Sequence, residues 1–134
     1  MDSQTRTSVW QRAGWRCEYC RLHSEDGNAY EFHVEHIYAK QHGGSDELQN
    51  LCLSCAECNW SKGTNLSGLL DGKIVPLFHP RRQPWSRHFE WDGPVLVGRT
   101  LCGKVTIQVL NINDARRVRM RQTLIDEDRF PPED

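Results

Sequence analysis

Apolar positions in the first half of the chain come in short bursts separated by polar, turn-forming stretches, a pattern of small elements rather than long helices. In "TRTSVWQRAG", residues 5–14, Val9, Trp10 and Ala13 give one apolar side to a short helix. Thr5 or Thr7 can cap its start, and Gly14 suits its end. The following "RLHSEDGNAY" is polar, with Asp26-Gly27 as its tightest turn signal. "YEFHVEHI" then alternates as a strand does, placing Glu31, His33 and Glu35 on one face and Phe32, Val34 and His36 on the other. After a loop marked by Gly43-Gly44 and Ser45-Asp46, "LCLSC" returns as a short apolar strand. Residues 56–62 form a short helix ended by Gly63.

The second half changes texture. "IVPLF", "HFEWD" and "VLVGRT" read as strands, with Asp92-Gly93 as the hairpin turn between the last two. In "TLCGKVTIQVLNIN", alternation of Val105, Ile107 and Val109 competes with helical spacing of Leu101, Val105, Val109 and Ile112 behind a Thr100 cap, and the helical reading is the better supported. "NDARRVRMRQTLIDE" is a second helix opened by Asn113, and the tail "DRFPPED" should fray. Strands and helices in this order predict an α+β fold.

With 134 residues the chain is the size of one compact domain. No apolar run approaches the roughly 20 residues needed to cross a bilayer, and the N-terminus lacks the apolar segment of a signal peptide. A soluble, cytoplasmic protein is expected. The net charge of −1 does not mark the chain as a nucleic-acid binder, but its distribution is uneven. Residues 1–75 carry 7 Lys/Arg against 10 Asp/Glu, residues 76–125 carry 9 against 3, and residues 126–134 carry 1 against 5. The arginine-rich middle block can meet phosphates, or simply form a solvated, helix-supporting face.

Six cysteines without an export signal argue for metal or thiol chemistry over disulfides. "CEYC" and "CAEC" supply Cys17, Cys20, Cys55 and Cys58, two CxxC pairs able to complete the tetrahedral sulfur shell of structural zinc. The 34 residues between them, 21–54, exceed the roughly 15–20 of a simple zinc ribbon, so something further is built there. Cys52 also forms a CxxC with Cys55, but its place between Leu51 and Leu53 suits a buried small residue. Cys102, isolated in sequence, reads as core. A thioredoxin-like redox protein is disfavoured because the pairs are duplicated and no matching pattern surrounds them.

Between and just after the knuckles lie Glu35-His36, Gly43-Gly44, Asn50-Leu51, and Asn59 with Lys62. This order, over residues 12–64, resembles the HNH endonuclease family. The frame from "NLSGLLDGKIVPLFHPRRQPWSRHFEW" to "VGRTLCGKVT" resembles a bacterial subfamily with a C-terminal extension. The resemblance implies a ββα-metal core stapled by a four-cysteine zinc site over residues 1–70. Residues 71–134 would be a C-terminal extension, a β-hairpin and two helices packed on that core in a single domain.

It further implies His36 as general base and Glu35 with Asn59 as ligands of one catalytic Mg²⁺ or Mn²⁺ ion. Asn50 would hold the histidine-bearing loop. Glu35 stands where the family often has Asp. His33 lies two positions before it, although a strand histidine more often makes an ordinary hydrogen bond or faces solvent. His23, His42, His79 and His88 have the same ordinary reading. The expected partner is DNA, contacted by Lys62, Arg81, Arg82 and Arg87, with Trp85 and Trp91 as stacking surfaces. Paired cuts would require a homodimer, since one active site nicks one strand. The rival expectation is a catalytically inactive, zinc-stabilised DNA-binding module.

Overall fold

In the computed structural model, which describes residues 1–133, the chain divides into two compact units. The first comprises residues 1–64 with 79–82, and the second residues 65–78 with 83–134. No helix among the described residues is long and apolar enough to cross a membrane.

The first unit starts with α1 (Ser3–Arg12), whose N-cap is Asp2 rather than either threonine. The Asp2 carboxylate accepts from the Thr5 amide at 2.7 Å, a stronger charge-assisted cap than a hydroxyl provides. Helix α1 packs against β1 (His33–His36) and β2 (Leu51–Ser54), which pair antiparallel. In their register Glu35 faces Cys52 and His36 faces Leu51. Next comes α2 (Ala56–Lys62), where the Cys55 sulfur caps the helix by accepting from the Cys58 amide. Val9, Tyr19, Leu51 and Leu53 are fully buried and form the centre of this unit.

The polarity of β1 departs from the alternation read in its sequence. Glu35 is its one buried residue and His33 is exposed, while Glu31 lies outside the strand in a preceding 3-10 turn. A carboxyl tolerates such a site only with partners. Glu35 has the Tyr19 hydroxyl and the Cys52 thiol as hydrogen-bond partners, with Lys62 as the nearby charge. Residues 79–82 join this unit through an ion pair between Arg81 and the buried Glu18, whose carboxylate also accepts from the Leu53 amide at 2.8 Å.

The second unit contains a hairpin only half foreseen in the sequence. Strand β3 (Ser67–Leu70) pairs with β4 (Lys73–Pro76), with Asp71 and Gly72 both at positive φ in the turn. Two successive positive-φ residues match the right-handed twist of the flanking strands. After the single turn α3 (Trp85–His88), β5 (Phe89–Asp92) and β6 (Val95–Gly98) form the expected second hairpin. The ambiguous segment is helical, as α4 (Leu101–Val109) capped by Thr100. The last helix, α5 (Ala115–Asp126), is capped by Asp114. Asn113 instead brackets Leu96, accepting from its amide and donating to its carbonyl.

Two arginines of α5 are buried, which differs from both readings of that run, phosphate contact and a solvated face. Arg117 donates to the Leu110 and Asn111 carbonyls at the end of α4, where a cation suits the helix dipole. Arg121 donates to Pro94, Ile112 and Asn113 and lies over the Trp91 ring. Buried Trp85 packs on Phe89 and on half-buried Trp91, whose ring meets Phe130 edge to face. The tail is anchored as far as Phe130, which is buried. The expected fraying includes Asp134, which lies outside the described residues.

Candidate functional site

Cys17 and Cys20 lie in the turn after α1, and Cys55 and Cys58 lie at the start of α2. Their sulfurs fall within 4.8 Å of one another, all four residues buried. Cys20 Sγ and Cys55 Sγ are 3.7 Å apart, close to the roughly 3.8 Å edge of a tetrahedron with ~2.3 Å zinc–sulfur bonds. Each pair also directs an amide at a sulfur, Cys20 N at Cys17 Sγ and Cys58 N at Cys55 Sγ, both at 3.5 Å. Packed this closely, the thiols resist ionising together. Hydrogen bonds among them push Cys55 up, and burial does the same to Cys58. A divalent cation removes that conflict, so this donor set fits a metal such as zinc. Cys52 stands apart, buried with its thiol toward Tyr19 and Glu35.

Asn59, next after Cys58, is held half-buried on α2. It lines an open cavity of about 420 Å³ together with His33, Glu35, His36 and Lys40. The fold therefore brings Glu35, His36 and Asn59 to one cavity and includes His33 on its wall. Burial pushes the Glu35 carboxyl up to about 7, a rise moderated by Lys62 and by hydrogen bonds from Tyr19 and Cys52. Because the folded state then binds the extra proton, burying Glu35 costs least at low pH and becomes increasingly destabilising as pH rises from the ordinary carboxyl value through about 7. With zinc retained and no further divalent ion, Glu35→Gln should therefore gain stability over wild type as pH rises. Between pH ~5.5 and ~8 the advantage should grow by about 2 kcal/mol, read by urea unfolding at each pH. An advantage independent of pH would show that Glu35 titrates normally.

Lys62, expected at a phosphate, is 2 % exposed and donates from Nζ to the Ile37 carbonyl at 3.0 Å. Its charge acts inside the unit, toward Glu35. Arg81 is likewise committed, to Glu18. Arg82 is exposed, donating to the Tyr38 hydroxyl at 3.0 Å and lying over that ring. Arg87 is exposed in the second unit.

The loop after β1 is held by Asn50. Its side chain accepts from the Tyr38 amide at 2.9 Å and donates to the Tyr38 and Ser45 carbonyls at 3.0 and 2.8 Å. Gly43 adopts φ +85°, and a Cβ on Gly44 would overlap the Tyr38 carbonyl, so each glycine answers a distinct backbone need. Asn50→Ala leaves three loop groups unpaired and should cost about 1–3 kcal/mol locally. Hydrogen exchange at the Tyr38 amide should accelerate accordingly, while an unchanged rate would place the loop's support elsewhere.

Asp46 is a partner of His36 that sequence reasoning does not find. Its Oδ1 lies 2.7 Å from His36 Nε2, and its Oδ2 lies 3.2 Å from Lys40 Nζ. The only sequence signal is "GGSD", which reads as a turn.

Residues 17–65 match the family described as HNH endonuclease. The chain is 31% identical over 112 residues to the Septu protein PtuB of Bacillus thuringiensis, covering 82% of this chain and 41% of that protein. It is 29% identical over 121 residues to the Septu protein PtuA of Bacillus mycoides, covering 79% of this chain and 16% of that protein. The chain thus spans less than half the length of either relative. No solved structure matches it at a significant level.

Proposed function

We propose that this chain, whose residues 17–65 match the HNH endonuclease family, is a metal-dependent nuclease that nicks or cleaves DNA, with His36 as general base. The observation that carries this reading is the convergence of Glu35, His36 and Asn59 on one open cavity, with Asn59 next in the chain to Cys58 of the four-cysteine cluster. Glu35 and Asn59 would hold Mg²⁺ or Mn²⁺, oxygen donors of the kind these ions accept. When bound, such an ion supplies charge stabilisation to the phosphate and to the leaving 3′ oxygen.

The chain's own part is positional and acid–base. With Nε2 occupied by Asp46, His36 has Nδ1 left to take a proton from water as its oxygen attacks phosphorus. The new oxygen–phosphorus bond forms as the bond to the 3′ oxygen breaks. An imidazole is a side chain suited to this task near neutral pH. Asn50 fixes the loop that carries the histidine's partner. Arg82 and Arg87, both exposed, are cations that can meet phosphates. Paired cuts would take two copies of the chain.

One observation favours the rival reading, an inactive zinc-stabilised DNA-binding module: the buried Glu35 carboxyl already has internal partners. Relaxation of supercoiled plasmid by the zinc-loaded protein, with and without Mg²⁺ or Mn²⁺, separates the two. The nuclease reading expects nicking that requires the added ion. Plasmid retention in gel shift with no turnover at any ion concentration would support the rival.

A further inference from the structure

The pairing of His36 with Asp46 is not needed to build the loop, which Asn50 and the two glycines already secure. What the loop does with that support is present a carboxylate to the ring. Asn50 holds the Ser45 carbonyl at 2.8 Å, one residue before Asp46, and Lys40 holds the carboxylate's second oxygen at 3.2 Å. The first oxygen is left to meet His36 Nε2 at 2.7 Å.

A neutral imidazole has two tautomers, and only the nitrogen without hydrogen can act as a base. An ionised carboxylate accepts hydrogen bonds and donates none. Against Asp46, Nε2 must therefore carry the proton, leaving the Nδ1 lone pair free. We propose that Asp46 is the positioning residue of this site, holding His36 in the Nε2–H tautomer so that Nδ1 is the atom that accepts the proton. The carboxylate thereby fixes the ring's orientation, the arrangement of an orienting acid behind a histidine base. Lys40 steadies the carboxylate from its other oxygen. The groups facing the pair are thus His36, Asp46 and Lys40, with Asp46 held below the usual carboxylate range chiefly by its hydrogen bond with His36.

This inference rests on His36 being the base, and its test has a readout that does not need catalysis. Long-range proton–nitrogen correlation spectra of ¹⁵N-histidine-labelled, zinc-loaded protein report the tautomer of His36 directly, with His36→Gln identifying its signals. Wild type should show Nε2–H. Asp46→Asn, whose amide can donate to Nε2, should shift the population to Nδ1–H, and Asp46→Glu should restore the wild-type pattern. In plasmid nicking, Asp46→Asn should lower kcat about 10- to 100-fold with KM changed less than about twofold. Asp46→Ala should lose less than Asp46→Asn, because it frees the ring instead of imposing the wrong tautomer. Wild type in the Nδ1–H form, or Asp46→Asn matching wild type in both tautomer and kcat, would overturn the proposal. The expected tautomer shift in a wild type that never nicks would support Asp46's role and sink the nuclease reading alone.

Discussion

Cys58→Ser protein is expected to lose zinc and, with it, the fold of residues 1–64. The four sulfurs sit inside the first unit, with Cys17 and Cys58 wholly buried and Cys20 and Cys55 nearly so. Removing the cation leaves close-packed, protonated thiols at the junction of α1, β2 and α2, with nothing to bind the two CxxC turns to each other. A core of this size rarely supplies more than about 3–5 kcal/mol. Structural zinc in comparably small units is worth roughly 10–16 kcal/mol at neutral pH. Zinc binding outweighs core burial and decides the outcome: without metal, β1, β2 and α2 should lose their hydrogen-exchange protection together. Elemental analysis should find one zinc per wild-type chain and less than about a tenth of that in Cys58→Ser. Cys52→Ala should keep its zinc, because its sulfur is directed at Tyr19 instead of the cluster. Full protection of β1 and β2 amides in metal-free protein would contradict this account.

The parts of the fold that are legible from sequence are those whose chemistry is local. Two CxxC pairs specify a thiolate cluster because each pair needs only its own turn, and Asn50 is readable from its place in a motif. What escapes reading depends on partners distant in sequence. Glu35 and Lys62 look like surface charges until Tyr19, Cys52 and the Ile37 carbonyl are brought around them. Arg117 and Arg121 follow the same logic, because carbonyls of residues 94 and 110–112 replace water around their guanidinium groups. Strand β3 is hidden for another reason. Ser67-Gly68 carries almost no strand propensity, and the hairpin is set by the Asp71-Gly72 turn and by α4, which packs on both of its strands. Asp46 is masked by its exposure and by its neighbours, since Ser-Asp after two glycines reads as a turn whether or not a histidine waits ten residues earlier.

The second large effect concerns His36. Its side chain is 24% exposed, on the cavity wall, and tied to the still more accessible loop residue Asp46. Truncating it should leave zinc content and unfolding nearly unchanged, within about 0.5–1 kcal/mol. Activity should respond very differently, because water then has no positioned acceptor for its proton. General-base catalysis accounts for roughly 10²- to 10⁴-fold in rate, and the loss should appear in kcat and kcat/KM together. The decisive measurement is the Mg²⁺- or Mn²⁺-dependent nicking rate of supercoiled plasmid by zinc-loaded wild type and His36→Ala, matched for zinc content and melting temperature. A metal-dependent wild-type rate falling at least ~100-fold in His36→Ala is the result predicted here, and equal rates in the two proteins would contradict it.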